Sequence, residues 1–195
     1  MTARILLFSV LLLASCKTTK VSTLTPINTG ADSNWGELAQ AEVLVAMQME
    51  SPSIRRLFED EMVKTFRAQN INAVASHTVI PSIAALTKPN INSFLNSRPN
   101  RAVMFCTVST ASKRESSDAP KEKSIFDGLT DSGQWDVTFV AIMENALYVH
   151  GRPNAIWWNR VKVIADEKKL YPAAEEYVGN EIQTLINSGM LERLK

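Results

Sequence analysis

The sequence predicts an α/β protein with a single mixed β-sheet and helices packed on the sheet. In the first half of the chain, segments with the two-residue alternation of strands are interleaved with segments that have the 3.6-residue period of helices. The second half predicts a pair of strands and a last helix. The predicted element order is therefore β-α-β-α-β-β-β-α, in which right-handed crossovers join the early strands.

The first predicted strand and helix have the clearest patterns. Residues 41–49 alternate so that one face is apolar, while the second face, with Leu44 and Ala46, is expected to be half covered. Ser51 and Pro52 then begin a helix, because serine is a good N-cap and proline at the first position lacks only an N–H that has no partner there. An apolar stripe follows at helical spacing: Ile54, Leu57, Phe58, Met62 and Phe66.

The middle of the chain predicts two more strands and a helical crossover. Residues 73–80 form the second predicted strand, which Pro81 ends. Residues 82–97 predict a short helical crossover that Pro89 breaks. Residues 102–108 are apolar almost throughout, which is typical of a central strand buried on both faces.

The last third predicts an insertion, a hairpin and a terminal helix. Residues 110–134 are polar and charged, and we expect them to form a flexible insertion. Residues 135–148 and 156–164 predict the two strands of a hairpin, joined by turn-forming residues. Pro172 begins the last helix, and Gly189 lies where a C-terminal glycine is expected.

The N-terminus has the features of a bacterial export signal. Arg4 supplies one positive charge, and residues 5–14 are a mostly apolar run, too short to cross a bilayer but typical of a signal-peptide core. The run ends in Leu13-Ala14-Ser15-Cys16, which resembles the lipobox of bacterial lipoproteins. The resemblance implies cleavage before Cys16 and acylation of its thiol. A plain secretory signal is the alternative.

The lipobox resemblance also implies a domain organisation and a location. Residues 1–15 would be the signal peptide, residues 16–38 the acylated cysteine with a flexible tether, and residues 39–195 one domain. The first expected partner is therefore the lipid membrane, through Cys16. Lys17 stands where inner-membrane retention signals of enterobacteria carry Asp, which favours the inner leaflet of the outer membrane, facing the periplasm.

Composition excludes several function classes. The chain has 21 Lys+Arg and 20 Asp+Glu, whereas a nucleic-acid-binding protein would show a concentrated basic excess. With Cys16 assigned to the lipid, Cys106 is the one cysteine left, which excludes an internal disulfide and a multi-cysteine zinc site. The sequence has no phosphate-binding loop, nucleophile elbow, zinc signature or dinucleotide fingerprint, so we expect neither a cofactor nor a metal.

A few polar residues are candidates for chemistry. His77 on the second predicted strand and His150 near the hairpin turn are the only histidines, and we expect two surface or rim residues rather than a shared site. Cys106 lies in the most apolar strand and is expected to be buried and inert. The acidic residues at 59–61 are explained by the favourable position of negative charge near a helix N-terminus. No catalytic residue is therefore predicted.

The adjacent tryptophans Trp157 and Trp158 are the best candidates for a binding site. On a strand the two rings face opposite sides of the sheet, so one can fill the core while the other is exposed. An exposed tryptophan is a frequent hot spot of binding. Cover for an edge strand explains the pair equally well.

Three short motifs together resemble one protein family. Phe58-Glu59-Asp60, followed by Ala73-Val74-Ala75-Ser76 and by Val79-Ile80-Pro81, is similar to the FED…AVxS…P pattern of small, mostly uncharacterised bacterial envelope lipoproteins. More remotely, the layout resembles the periplasmic domains of penicillin-binding-protein activator lipoproteins and of the curli-secretion lipoprotein. These resemblances imply a role in assembly or regulation rather than catalysis. The insertion at 110–134 and the long 144–155 connection depart from the pattern.

Three functions stay open at this point. The leading hypothesis is a non-enzymatic envelope lipoprotein that binds another protein, as yet unknown, or assembles into a complex. The alternative is an envelope module that binds a small molecule or a glycan through the aromatic hairpin, and a hydrolase with an unrecognised site comes third. A flat apolar patch would favour the first, a deep polar pocket near the tryptophans the second, and a convergent histidine or carboxylate cluster in a pocket the third.

Overall fold

A computed structural model of the chain describes residues 22–32, 38, 40–80, 82–116, 136–166 and 169–195. The strands in this part are β1 (Ser22–Ala31), β2 (Glu42–Gln48), β3 (Asn72–Ala75), β4 (Arg101–Ser116), β5 (Asp136–Val149) and β6 (Trp157–Asp166). The α-helices in it are α1 (Pro52–Ala68), α2 (Ser76–Val79), α3 (Lys88–Asn96) and α4 (Leu170–Asn187). Short 3-10 turns lie at Ile83–Ala85 and Glu192–Leu194.

The strands form one mixed sheet in the order β1-β6-β5-β4-β2-β3. β2 is parallel to both β3 and β4, and the other neighbouring strands are antiparallel. Helix α1 joins β2 to β3, as a crossover between parallel strands requires. The predicted fold class, α/β with a single mixed sheet and helices packed on it, is confirmed.

An N-terminal edge strand is the main difference from the predicted order. Residues 22–31 lie within the predicted tether, yet they form β1, which pairs antiparallel with β6. An edge strand has a neighbouring strand on one side only and faces solvent on the other, so it needs few apolar residues. A Thr-rich segment with polar neighbours can therefore form such a strand. Pro26 fits such a position because it lacks a backbone donor, and the register shifts beside it.

The second strand and the crossover also differ from their predictions. β3 ends at Ala75, and Ser76–Val79 form the single helical turn α2 instead of continuing the strand. The Thr78 hydroxyl donates to the carbonyl oxygen of Ala75, which stabilises the turn. Pro89 does not break the crossover, because it lies in the first turn of α3, where proline is tolerated.

The predicted insertion begins later than the sequence indicates. Residues 110–116 extend β4 and pair with residues 136–142 of β5, although their sequence is polar. Backbone pairing of two strands depends little on the polarity of their side chains, so the polarity is a poor guide to where β4 ends. Residues 117–135, which make up the rest of the predicted insertion, lie outside the described residues.

The sheet has two unequally covered faces. One face carries the larger core, which packs against α1 and α4. In this core Phe58 of α1 meets Tyr177 of α4 edge to face, with the ring centroids 5.5 Å apart. The other has a smaller core, where α3 and the turn before it cover β2 and β4. Its members are Leu44, Ala46, Leu86, Ile91, Leu95 and Val103. Leu44 and Ala46 of β2 are fully buried there, so the second face of this strand is covered more completely than the predicted half.

The predicted start of α1 and end of α4 agree with the structure, whereas α4 begins at Leu170, two residues before the predicted Pro172. The Ser51 hydroxyl accepts a hydrogen bond from the Ile54 N–H at 3.5 Å. Gly189 has φ +72° directly after the last helical residues of α4, a conformation that glycine adopts without strain. The predicted stripe of α1 also faces the core, with Phe58, Met62 and Phe66 buried.

Candidate binding face on the open side of the sheet

Trp157 and Trp158 point to opposite faces of the sheet, as predicted. Trp157 is fully buried in the larger core. Trp158 is 44% exposed on the other face, beyond the part that α3 covers. The structure therefore brings only Trp158 to a surface where it can meet a ligand.

Trp158 belongs to a row of residues that crosses five strands. The pairing of the strands places Ala46, Phe105, Ala146, Trp158 and Gly30 side by side, so small and aromatic residues alternate. Phe105 and Trp158 are two strands apart, about 10 Å between their backbones, with only a methyl group between them. The two rings therefore form the walls of a slot whose floor is Ala146.

Gly30 allows the indole of Trp158 to lie across β1. A Cβ atom added to Gly30 would overlap the six-membered ring of Trp158. Any other residue at this position would therefore displace the ring. This close approach fixes the outer wall of the slot against the edge strand.

Polar residues flank the slot on the next row of the sheet. Thr107, Glu144, Arg160 and Asn28 are neighbours there, and Arg160 Nε lies 3.2 Å from Glu144 Oε1. Together with the slot they line an open groove of about 570 Å³. The groove therefore offers an apolar centre and a polar border.

A second and larger groove lies between α3 and the β5–β6 turn. Its volume is about 1010 Å³, and it shares Phe105 and Tyr148 with the first groove, so the two are continuous. The aromatic rings contribute to its floor, and its polar lining residues are Gln48, Lys88, Asn92, Asn96, Arg152 and Asn154. We call the first the Trp158 groove, the second the α3 groove, and both together the open face.

A buried cluster around Glu59 lies on the opposite side of the sheet. Glu59 Oε1 accepts hydrogen bonds from the Met47 N–H, Arg55 Nε and the Ser76 hydroxyl, at 2.9, 2.9 and 2.7 Å. Glu59 Oε2 accepts from the His77 N–H at 2.8 Å and lies 2.9 Å from His77 Nδ1. The helix-dipole explanation of Glu59 is therefore wrong, because this carboxylate is fully buried and joins α1, β2 and α2.

The environment of Glu59 keeps its carboxylate ionised. Burial alone would raise the pKa of Glu59, but the hydrogen bonds from Ser76, Met47, Arg55 and His77 outweigh burial and lower the pKa below its usual value. Ser76 is itself fully buried, and its hydroxyl donates to Glu59 while it accepts from Arg55 Nη2 at 2.7 Å. A hydroxyl held in this way serves structure rather than nucleophilic attack.

The cluster also joins two of the three motifs that resemble those of the envelope lipoproteins. Glu59 belongs to the Phe58-Glu59-Asp60 motif, and Ser76 ends the motif at 73–76. Their hydrogen bond connects α1 to the end of β3. The sequence signal for part of this cluster was the i,i+4 spacing of Arg55 and Glu59, which places an ion pair on one face of a helix.

The two histidines lie in separate surroundings. His77 lies in α2 rather than on a strand, with Nδ1 at Glu59 and Nε2 3.4 Å from Asp60 Oδ1. His150 lies at the β5–β6 turn, where its ring contacts the carbonyl oxygen of Leu95 at 3.0 Å. The structure does not bring them together into one site.

A second buried cluster surrounds Glu181, and sequence reasoning missed it. Glu181 of α4 accepts hydrogen bonds from the amides of Asn145 on β5 and Asn159 on β6, each at 2.9 Å. The Tyr177 hydroxyl donates to Asn145 Oδ1 at 2.6 Å. The only sequence signal for this cluster is the presence of a carboxylate within the apolar stripe of α4. Burial raises the pKa of Glu181 to about 7, and the hydrogen bonds from Asn159, Asn180 and Asn145 only partly oppose this effect.

Cys106 lies in the core, as predicted. It is fully buried, and burial followed by the charges of Glu181 and Glu59 raises the pKa of its thiol. The thiol is therefore protonated and unreactive. The predicted lipidation site, Cys16, lies outside the described residues.

Neither a metal-binding cluster nor a membrane-spanning helix lies in the part of the chain that the structure describes. No group of three or more His, Cys, Asp or Glu residues in that part is suited to hold a metal ion. No helix in the same part is long and apolar enough to span a bilayer.

Comparisons with known proteins give similarities to solved structures but to no family model or curated protein. Among solved structures, the PelC dodecamer from Paraburkholderia phytofirmans is similar, with a TM-score of 0.47 and 14% identity over 89% of this chain and 96% of that chain. A point variant of the same dodecamer is similar with a TM-score of 0.43 and the same identity and coverage. At this identity and TM-score, neither likeness bears on what the chain does.

Proposed function

We propose that the chain is a non-enzymatic, lipid-anchored protein of the bacterial envelope whose open face binds another protein. The observation that carries the proposal is the row in which Phe105 and Trp158 stand on either side of Ala146. Two aromatic walls with a small floor accept an apolar side chain of a partner. The grooves around the row are open, which suits a protein surface better than an enclosed small-molecule site.

The residue types of the open face support protein binding. Tryptophan, tyrosine and arginine dominate the hot spots of protein interfaces. Trp158, Tyr148 and Arg160 all line the Trp158 groove. A partner that covers the two rings removes their apolar surface from water, which favours binding.

The position of β1 supports a domain held close to its membrane. β1 begins at Ser22, only a few residues after the proposed lipid on Cys16. A fully extended chain spans about 3.5 Å per residue, so this link reaches about 20 Å at most. A partner of the open face would therefore be an envelope protein near the same membrane.

Site-specific crosslinking from the open face tests the proposal. A photoreactive amino acid replaces Thr107, which lies in the Trp158 groove, and in a second variant it replaces Tyr171, which is exposed on α4. We expect one defined protein partner to be crosslinked from position 107 but not from position 171. Trp158→Ala should abolish co-purification of that same partner, whereas Tyr171→Ala should not.

The outcome separates this function from the alternatives. Equal crosslinking from both positions, or co-purification that survives Trp158→Ala, would contradict protein binding by the open face. A second candidate function is the binding of a glycan or small molecule, which the side-chain amides of the α3 groove favour: they belong to Gln48, Asn92, Asn96 and Asn154. That function predicts saturable binding of the ligand in the absence of any crosslinked protein.

A further inference from the structure

We propose that the open face binds an extended acidic segment of its protein partner, with the carboxylates in the α3 groove and an apolar side chain in the slot above Ala146. This inference rests on the proposed function and specifies the chemistry of the partner. Three observations support it: the positive charge of the α3 groove, the apolar floor of the Trp158 groove, and the distance across both grooves.

The charge of the α3 groove favours an acidic ligand. Its described lining residues include Lys88 and Arg152 but no aspartate or glutamate. Lys88 is exposed, and Arg152 Nη1 lies 3.9 Å from Asp32 Oδ2, a distance at which an exposed pair is weak. Both cations can therefore turn to a carboxylate that enters the groove.

The amides of the same groove suit a peptide backbone. Asn92 and Asn96 follow each other on α3 at i,i+4 spacing, and Asn154 faces them from the β5–β6 turn. Each side-chain amide donates and accepts, so together these amides can pair with the N–H and C=O groups of an extended chain. A peptide that lies between α3 and the turn would thus satisfy its own backbone.

The slot favours an apolar side chain of the peptide. Phe105, Ala146 and Trp158 form an apolar row on the open face, and no polar side chain stands within it. An aliphatic side chain such as leucine exchanges water for contact with the two rings there. A sugar ring can also stack on these rings with its hydroxyl groups at the polar border, so the comparison of the acidic peptide with polygalacturonate decides between the two ligands.

The width of the open face sets the length of the segment. Ala46 is covered by α3, so the open part of the row runs from Phe105 on β4 to Gly30 on β1, across three gaps between strands or about 14 Å. An extended peptide rises about 3.3 Å per residue, so about four residues cover this part, and the residues beyond them lie in the α3 groove.

Binding of designed peptides to the purified full-length protein tests the inference. The probe is a fluorescein-labelled hexapeptide with two glutamates at one end and a leucine near the other, and binding is followed by fluorescence anisotropy. We expect saturable binding that weakens as salt is added. The same peptide with lysines in place of the glutamates should bind at least about tenfold more weakly.

Substitutions in the protein test which end of the peptide binds in the α3 groove and which binds in the slot. Lys88→Glu and Arg152→Glu should each weaken binding of the acidic peptide several-fold and remove most of the preference for it over the lysine peptide. Ala146→Phe should fill the slot and weaken both peptides. Lys88→Glu is expected to fold, since an acidic residue in the first turn of α3 is favourable. Arg56→Glu, at an exposed position of α1, is the matched control and should change nothing.

Each contrary result overturns the inference. It fails if both peptides bind equally, if Lys88→Glu and Arg152→Glu act no more strongly than Arg56→Glu, or if no peptide binds. It also fails if polygalacturonate, an anionic glycan, binds the open face while the acidic peptide does not. The proposed function is judged separately, because loss of the crosslinked partner in Trp158→Ala does not depend on the charge of the partner.

Discussion

Gly30 of β1 lies directly beneath the indole ring of Trp158 of β6. The two residues are paired in register, and only the absence of a side chain on Gly30 leaves room for the ring. The edge strand thereby sets the position of the exposed tryptophan. A segment that reads as a tether in the sequence is thus a structural part of the proposed binding face.

Gly30→Ala is expected to displace the indole of Trp158 without unfolding the protein. The new methyl group would overlap the far end of a side chain that is 44% exposed, and that end can swing into solvent. The free energy of unfolding should change by no more than about 0.5 kcal/mol, as is usual at surface positions. The indole N–H resonance of Trp158 should shift in NMR spectra, and partner binding should fall as in Trp158→Ala.

Gly179→Ala is the matched control for this experiment. A Cβ atom at Gly179 meets nothing within 4 Å, and its position inside α4 favours alanine by about 0.5–1 kcal/mol. Its indole spectrum and partner binding should equal those of the wild type. An unmoved Trp158 resonance in Gly30→Ala would show that the ring does not lie over β1.

Phe66→Ala is expected to destabilise the protein by about 3–5 kcal/mol, because it removes a fully buried aromatic ring from the core under α1. Urea denaturation followed by circular dichroism measures the loss, and the m-value should stay unchanged. Arg56→Ala, on the exposed side of the same helix, should change the free energy of unfolding by about 0.5 kcal/mol or less. Equal effects of the two substitutions would contradict the orientation of α1.

Strong periodicity made some elements predictable. The side chains of β2 point alternately to the two faces of the sheet, and both faces are apolar there. Helix α1 combines a serine cap, a proline and a regular apolar stripe. In both elements the local sequence preferences agree with the packing in the fold. Trp157 and Trp158 were separable by the alternation of a strand alone. The sequence could therefore predict that one of these two tryptophans is exposed at the candidate site.

The features that the sequence does not predict depend on contacts between segments that are distant along the chain. β1 has no apolar period and is stabilised by pairing with β6, about 130 residues away, as in the hydrogen bond from Thr29 to Asn159. Glu59 becomes a buried anion only because the chain reverses after β3 and brings Ser76 and His77 to it. Local charge and polarity cannot show such partners, so the sequence around Glu59 indicates only a favourable interaction with the helix dipole.

Glu59→Gln is expected to destabilise the protein by about 3–5 kcal/mol. It removes the buried carboxylate charge that lies 2.9 Å from Arg55 Nε and turns an amide donor toward backbone donors. Urea denaturation at pH 7 measures the loss, and Asp60→Asn at the neighbouring exposed position is the control. If Glu59→Gln were no more costly than Asp60→Asn, Glu59 would not be a buried ion.

The same carboxylate gives an acid dependence of stability. The pKa of Glu59 is lowered in the folded state from 4.5, so its contribution is complete above pH 4.5 and is lost as the pH falls through the folded-state value. We expect the difference in unfolding free energy between wild type and Glu59→Gln to shrink below pH 4.5. A difference that stays constant down to acid pH would contradict the lowered pKa.

Cys16→Ala is expected to abolish the proposed membrane anchor. The sequence before Cys16 resembles a lipobox, in which the thiol carries the lipid, so the variant should no longer incorporate radiolabelled palmitate. It should also accumulate as an uncleaved or soluble product. Cys106→Ala is the matched control and should label like the wild type, because that thiol is buried. Labelling and membrane fractionation that survive Cys16→Ala would show that the protein is not a lipoprotein.

Glu181→Gln is expected to change how stability depends on pH. The pKa of Glu181 is raised from 4.5 to about 7 in the folded state, so the folded protein binds a proton that the unfolded chain has released. Its contribution to stability is complete below pH 4.5, declines as the pH rises, and is lost above about pH 7. The shift corresponds to about 3 kcal/mol across this window.

Comparison of wild type and Glu181→Gln isolates this effect from the other ionisable groups. Tyr177 and Cys106, which face Glu181 in the core, both have raised pKa values and stay neutral throughout, so Glu181 titrates alone in its cluster. The wild type should lose stability between pH 5 and pH 8 relative to the variant, as urea denaturation at several pH values would measure. Glu176→Gln on the same helix should follow the wild type. Parallel curves for wild type and Glu181→Gln would mean that Glu181 is already ionised at pH 5 and that its three amide partners outweigh its burial.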